Sequence, residues 1–162
     1  MGIKLPKITP HLCFDHQAEE AVNYYVSIFK NSWIRNITRV SEGEQYGTPG
    51  AVRTISFVLD GHEMMAANGG PSFVIGDGVS LYVACDSQEE IDMLWEKLSE
   101  GGEKQECGWL KDKFGVFWQI APSNVWEMVN DPDPIKSKRV TDTIFGMTKL
   151  SAEHIQAAYS RE

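Results

Sequence analysis

Cysteine is scarce in this chain. The three present, Cys13, Cys85 and Cys107, are odd in number and lack metal-ligand spacing. They read as reduced thiols of a cytoplasmic protein rather than as a disulfide framework. Long apolar runs are missing too: no segment approaches the length needed to span a bilayer, and Met1 to Thr9 has no apolar core of signal-peptide length. Basic residues are outnumbered, with 15 Lys and Arg against 23 Asp and Glu, for a formal net charge of −8. Phosphate recognition draws on clustered Lys and Arg, so a nucleic-acid-binding face is not expected. The one basic cluster, Lys136 to Arg139, lies beside Asp131 and Asp133 and reads as a solvated helix face. No two histidines have metal-ligand spacing, and no Ser-His-Asp arrangement or phosphate loop can be argued.

What remains is an ordinary globular composition, 42% hydrophobic over 162 residues. From Ile8 to Phe14 the residues alternate, with Ile8, Pro10, Leu12 and Phe14 on one face of a strand and Thr9, His11 and Cys13 on the other. Ala18, Ala21, Val22, Tyr25, Ile28 and Phe29 then form a helical stripe, with Asp15 as its start signal. Strands are expected at Trp33 to Val40, Val52 to Leu59 and His62 to Asn68. Ser41 to Gly50 is a loop, and Asp60-Gly61 is a two-residue hairpin turn.

The same order then recurs. Val79 to Cys85 alternates, Ser87 to Glu90 has capping-box spacing, and Ile91, Leu94, Trp95 and Leu98 form a second stripe. Strands are expected around Lys104 to Leu110 and Val116 to Ala121, with a turn at Asp112 to Gly115. A shift of 71 positions lays Asp15 on Asp86, Gln17 on Gln88 and Glu19 on Glu90. Later the shift falls to 54, laying Gly61 on Gly115, because the first half has the longer loop. The chain thus reads as a duplicated βαβββ unit. Residues 1–75 form the first module, 76–122 the second, and 123–162 a helical tail, together one compact α+β domain.

Ile8-Thr-Pro-His-Leu-Cys-Phe-Asp15, Asn68-Gly-Gly-Pro71, Gly108-Trp-Leu-Lys-Asp112 and Phe114-Gly-Val-Phe-Trp-Gln-Ile-Ala-Pro122 together resemble the PhnB-like branch of the vicinal oxygen chelate (glyoxalase/bleomycin-resistance/dioxygenase) superfamily. Lys138-Arg-Val140 through Leu150 is similar to the end of those proteins. The resemblance implies a curved mixed sheet and a cleft for a small aromatic or carbonyl-bearing molecule, used for turnover or for sequestration. It also implies a homodimer, with modules exchanged in some relatives. Many such proteins are labelled 3-demethylubiquinone-9 3-methyltransferase. A methyltransferase using S-adenosylmethionine usually has a Gly-rich turn after its first strand, and here that strand ends in Phe14-Asp15-His16-Gln17. The superfamily's metal positions fall near Thr9, Met65, Ser80 and Gln119, none of which is a His or a carboxylate. No metal and no other cofactor is therefore expected.

The candidate catalytic residue is His11, as a general base or a donor to a ligand oxygen; otherwise it is a satisfied histidine of a half-buried sheet. Tyr82 is its repeat-mate. Cys13 is either a neighbour of His11 at the ligand or an inert core thiol. Phe57, Trp109 and Trp118 line a pocket or fill the core. Asn68 offers an amide to an oxyanion or serves its turn. Gln119 orients the ligand.

Overall fold

The computed structural model describes residues 4–161; positions 1–3, part of the stretch read for a targeting signal, lie outside it. The chain divides into two compact units, one ending at Ile75 and the other beginning at Gly76. The first contains β1 (His11–Phe14), α1 (Ala18–Ile28), β2 (Trp33–Arg39), β3 (Val52–Leu59) and β4 (His62–Asn68). Its sheet has the order β1-β4-β3-β2, with β1 and β4 parallel and the other neighbours antiparallel.

Cross-strand partners share a face of a sheet, so the register sorts the side chains. Leu12, Ala66 and Ile55 form one row, and Met64 and Phe57 extend the same face. All five are buried, as are Ala18, Ala21, Val22 and Tyr25 of α1, the helix packed on this sheet. The sharp β3–β4 turn needs left-handed backbone at both central residues, and Asp60 (φ 46°) and Gly61 (φ 78°) supply it.

The second unit repeats this plan with β5 (Leu81–Cys85), α2 (Gln88–Ser99), β6 (Glu103–Lys104), β7 (Trp109–Lys111) and β8 (Phe117–Pro122). Its order, β5-β8-β7-β6, is that of the first sheet, with β5 and β8 as the parallel pair. Here α2 begins with the expected reciprocal cap: Ser87 Oγ accepts from Glu90 N at 3.1 Å, and Glu90 Oε2 accepts from Asp86 N at 2.9 Å. One expected strand is two. The stretch around Lys104 to Leu110 breaks into β6 and β7 because Cys107 (φ 61°) and Gly108 (φ 79°) turn the chain back. Gln105 N then donates to Trp109 O, and Trp109 N to Glu106 O.

The tail forms α3 (Val125–Val129), α4 (Pro134–Phe145) and α5 (Ala152–Ser160). Asp133 caps α4 ahead of Pro134 at the first helical position. The tail covers its own unit: Val125, Met128, Val140, Leu150 and Ile155 close over Ala121 of β8. Polar latches hold it as well. Gln88 of α2 donates to Leu150 O and accepts from Ala152 N, Lys149 pairs with Asp92, and Cys107 N and Gly108 N donate to Met147 O and Thr148 O.

Candidate functional site

Each sheet has a second face, away from its helix. In the first unit the register puts His11, Met65 and Ser56 in one row there, and Cys13, Ala67 and Thr54 in the next. His11 is exposed and Cys13 partly so. Burial raises the Cys13 thiol above its ordinary range, so it stays protonated at neutral pH. A Cβ added at Gly69 would lie 2.5 Å from the Phe73 ring and 2.7 Å from Cys13 Sγ. The thiol is therefore packed from one side by the Asn68–Phe73 segment.

In the second unit the same face carries Tyr82, Gln119 and Trp109, paired directly across β5, β8 and β7. Tyr82 is 44% exposed, and Gln119 and Trp109 are partly exposed. Gln119 Nε2 donates to Ser80 Oγ at 2.9 Å, which fixes its amide. Burial, then the nearby Cys85, raises the Tyr82 phenol, so it remains a hydrogen-bond donor. Cys85 itself is pushed up to about 12 by burial and by Glu90 and Asp86.

The remaining candidates lie elsewhere. Phe57 is fully buried on the helix side of its sheet. Trp118 is 1% exposed, also on the helix side, and its indole donates to Asp112 Oδ2 at 2.8 Å. Asp112 is itself buried, and its Oδ1 accepts from Phe114 N and Val116 N. Sequence reasoning placed Asp112 only in a turn; nothing local tells a turn aspartate from one that also receives a side chain six residues on.

Asn68 is occupied by the fold. Its Oδ1 accepts from Ala18 N at 2.9 Å and its Nδ2 donates to Val52 O at 3.2 Å. It supplies the cap of α1 that Asp15 was expected to give; the residue at the cap position is Gln17, which makes no side-chain cap bond. Asn68→Ala should cost about 1–2 kcal/mol, a lost cap plus an orphaned carbonyl, and Asn68→Asp less because the acceptor survives. Chemical denaturation of both variants checks this, and equal losses would mean that the cap contributes nothing.

A recess of about 920 Å³ opens at the end of the first sheet, among Asp15, Glu19, Arg39, Glu44, Tyr46 and Arg53. Of the sequence-derived candidates it includes Asn68 alone. It depends on how the 41–50 loop folds back, which no periodicity reports.

Thr9, Met65, Ser80 and Gln119 offer neutral hydroxyl, thioether and amide groups. Gln119 and Ser80 are bonded to each other, and Thr9 Oγ1 donates to Pro6 O. Among the described residues no group of three or more His, Cys, Asp or Glu side chains could hold a metal ion. These residues do not fit a divalent ion.

The 3-demethylubiquinone-9 3-methyltransferase family profile matches residues 6–121. The PhnB protein of Bacillus cereus, which carries the same methyltransferase name, is 37% identical. The match covers 72% of this chain and 99% of that one, with a TM-score of 0.67. The chain belongs to the 3-demethylubiquinone-9 3-methyltransferase (PhnB) family. Protein PA1353 from Pseudomonas aeruginosa shares the fold at 22% identity and a TM-score of 0.62, over 72% of this chain and 98% of that chain. A glyoxylase/bleomycin resistance protein/dioxygenase domain from Frankia sp. EAN1pec is a more distant neighbour, at 14% identity and a TM-score of 0.40, covering 73% of this chain and 91% of that one. No curated protein matches the chain. The family profile ends at Ala121, ahead of the tail.

Proposed function

We propose that this PhnB-family protein binds a small aromatic or carbonyl-bearing molecule without a metal, on the open face of its second sheet. The observation that carries the reading is the Tyr82–Gln119–Trp109 row: a phenol, a fixed amide and an indole side by side on a partly exposed surface. Trp109 offers a flat wall for a planar ligand, and Tyr82 and Gln119 offer donors for a carbonyl oxygen. The corresponding row of the first unit carries His11, an exposed titratable group, beside Met65.

Binding is favoured over turnover. Among the described residues no acid partners the His11 ring, and the Cys13 thiol is held protonated. The methyl transfer in the family's name is not part of this proposal. The backbone from β1 into α1 has no glycine and no left-handed residue, so it lacks the close-approach turn on which a nucleotide-like cofactor rests. Among the described residues no helix is long and apolar enough to cross a membrane; a cytoplasmic homodimer, with or without exchange of modules, completes the proposal. A monomer in sedimentation at micromolar concentration would remove the dimer.

Native mass spectrometry of freshly purified protein should show a retained small molecule. Its affinity should fall about tenfold in Trp109→Ala and be unchanged by dialysis against EDTA. Wild-type affinity in both Trp109→Ala and Gln119→Ala would sink the assignment of this face. Turnover lost in His11→Ala would make the protein an enzyme instead.

A further inference from the structure

The recess at the end of the first sheet belongs to the first unit, whereas the Tyr82 row belongs to the second, and nothing in the family comparison assigns it. It sits where β1 and β4 end side by side, since Phe14 pairs with Asn68, and the 41–50 loop forms its outer wall. Its volume of about 920 Å³ lies within the range of small-molecule sites, ~300–1,000 Å³.

The charges in this recess are mixed and mostly matched to one another. Arg39 holds Glu19 with two hydrogen bonds, at 2.7 and 3.2 Å, and reaches Gly50 O at 3.3 Å. Arg53 Nη2 donates to Glu44 Oε1 at 2.9 Å and to Arg39 O at 2.8 Å. The Nε and Nη1 donors of Arg53 have no protein acceptor among the described residues, and the side chain is half exposed. On the acidic side, among the described residues Asp15 has only the His16 ring as an ionic neighbour, at 3.2 Å, and is likewise half exposed.

Those two leftovers decide the ligand. A bare anion would gain Arg53 but meet Asp15 and Glu44 in a protein of net charge −8. A bare cation would gain Asp15 but meet the open donors of Arg53. A molecule with both charges offers each group a partner of opposite sign. Val40, Ala51, Val52 and the Tyr46 ring give an apolar lining for its remainder.

We infer that this recess binds a small zwitterion of the amino-acid type, its carboxylate on Arg53 and its ammonium on Asp15. Each contact is a charge-assisted hydrogen bond, whose loss weakens binding about tenfold or more.

The test titrates the twenty free amino acids, with their N-acetyl and C-amide forms, into ¹⁵N-labelled protein. At least one free amino acid should give saturable shifts of the Gly47, Gly69 and Gly70 amides, with a dissociation constant near or below about 1 mM. Blocking either end should weaken it about tenfold. In Arg53→Gln the C-amide should bind as well as the free acid, and in Asp15→Asn the N-acetyl form should do so; both sites are on the surface, so the variants should keep the wild-type spectrum elsewhere. No saturable shift with any of the twenty, or equal shifts from free and doubly blocked forms, would overturn the inference. A penalty for amidation that survives in Arg53→Gln would overturn the assignment of the carboxylate end.

Discussion

Asp112→Ala is expected to cost about 4 kcal/mol, a large part of the stability of a protein this size, since whole domains are stable by only ~5–15 kcal/mol. The carboxylate is 3% exposed and accepts from Phe114 N, Val116 N and the Trp118 indole. Alanine removes the acceptor and leaves buried donors behind, each worth ~1–3 kcal/mol when unsatisfied. Asp112→Asn separates the contributions, because the amide oxygen can still serve the two backbone groups while its NH₂ faces the indole donor to donor. This variant should therefore cost about half as much, and adding Trp118→Phe to it should cost less than Trp118→Phe costs alone. Urea unfolding of the wild type, the two single variants and their combination closes the cycle. If Asp112→Ala loses no more than Trp118→Phe, the turn does not depend on its carboxylate.

Val140→Asp should release the tail. Val140 is fully buried among Val125, Met128, Leu150 and Ile155. A carboxylate there would have no positive partner within the cluster, a burial that costs about 3–5 kcal/mol unless the segment opens to hydrate it. Opening is the cheaper response, so α4 and α5 should lose amide-exchange protection and helical circular dichroism, while Ile55 and Phe57 in the first sheet keep theirs. Undiminished protection across α4 and α5 would show that the cluster does not hold the tail. Lys149–Asp92 is a surface pair and contributes little by comparison.

The fold was legible where it rests on period and punctuation. Alternation exposed the strand faces, helical stripes exposed α1 and α2, and recurrence of the whole order exposed the duplication. The side chains of the open faces were not sorted: Phe57 and Trp118 stood with Trp109 and Gln119 as pocket candidates, although strand parity puts both on the buried helix side of their sheets. Roles that depend on distant partners were not legible. Asn68 looks like a turn residue, yet it caps a helix that begins fifty residues earlier. Gln88 looks like an early helix residue, yet it holds backbone sixty-two and sixty-four positions on. The Cys107–Gly108 turn was missed because a non-glycine residue in left-handed conformation leaves no mark on hydrophobic pattern. The recess was missed because its walls are a loop, and loops carry chemistry without periodicity.

The parallel pairing of first and last strands has a consequence for synthesis. His11 cannot find Met65 until β4 has left the ribosome, so the amino-terminal module has its whole sheet available at once, when residue 68 emerges. The carboxyl-terminal module waits twice: β5 for β8, and then Gln88 for Leu150 and Ala152. Until the last few dozen residues are made, its nascent chain carries uncovered apolar surface at Ala121, the stage at which a growing polypeptide most needs a chaperone.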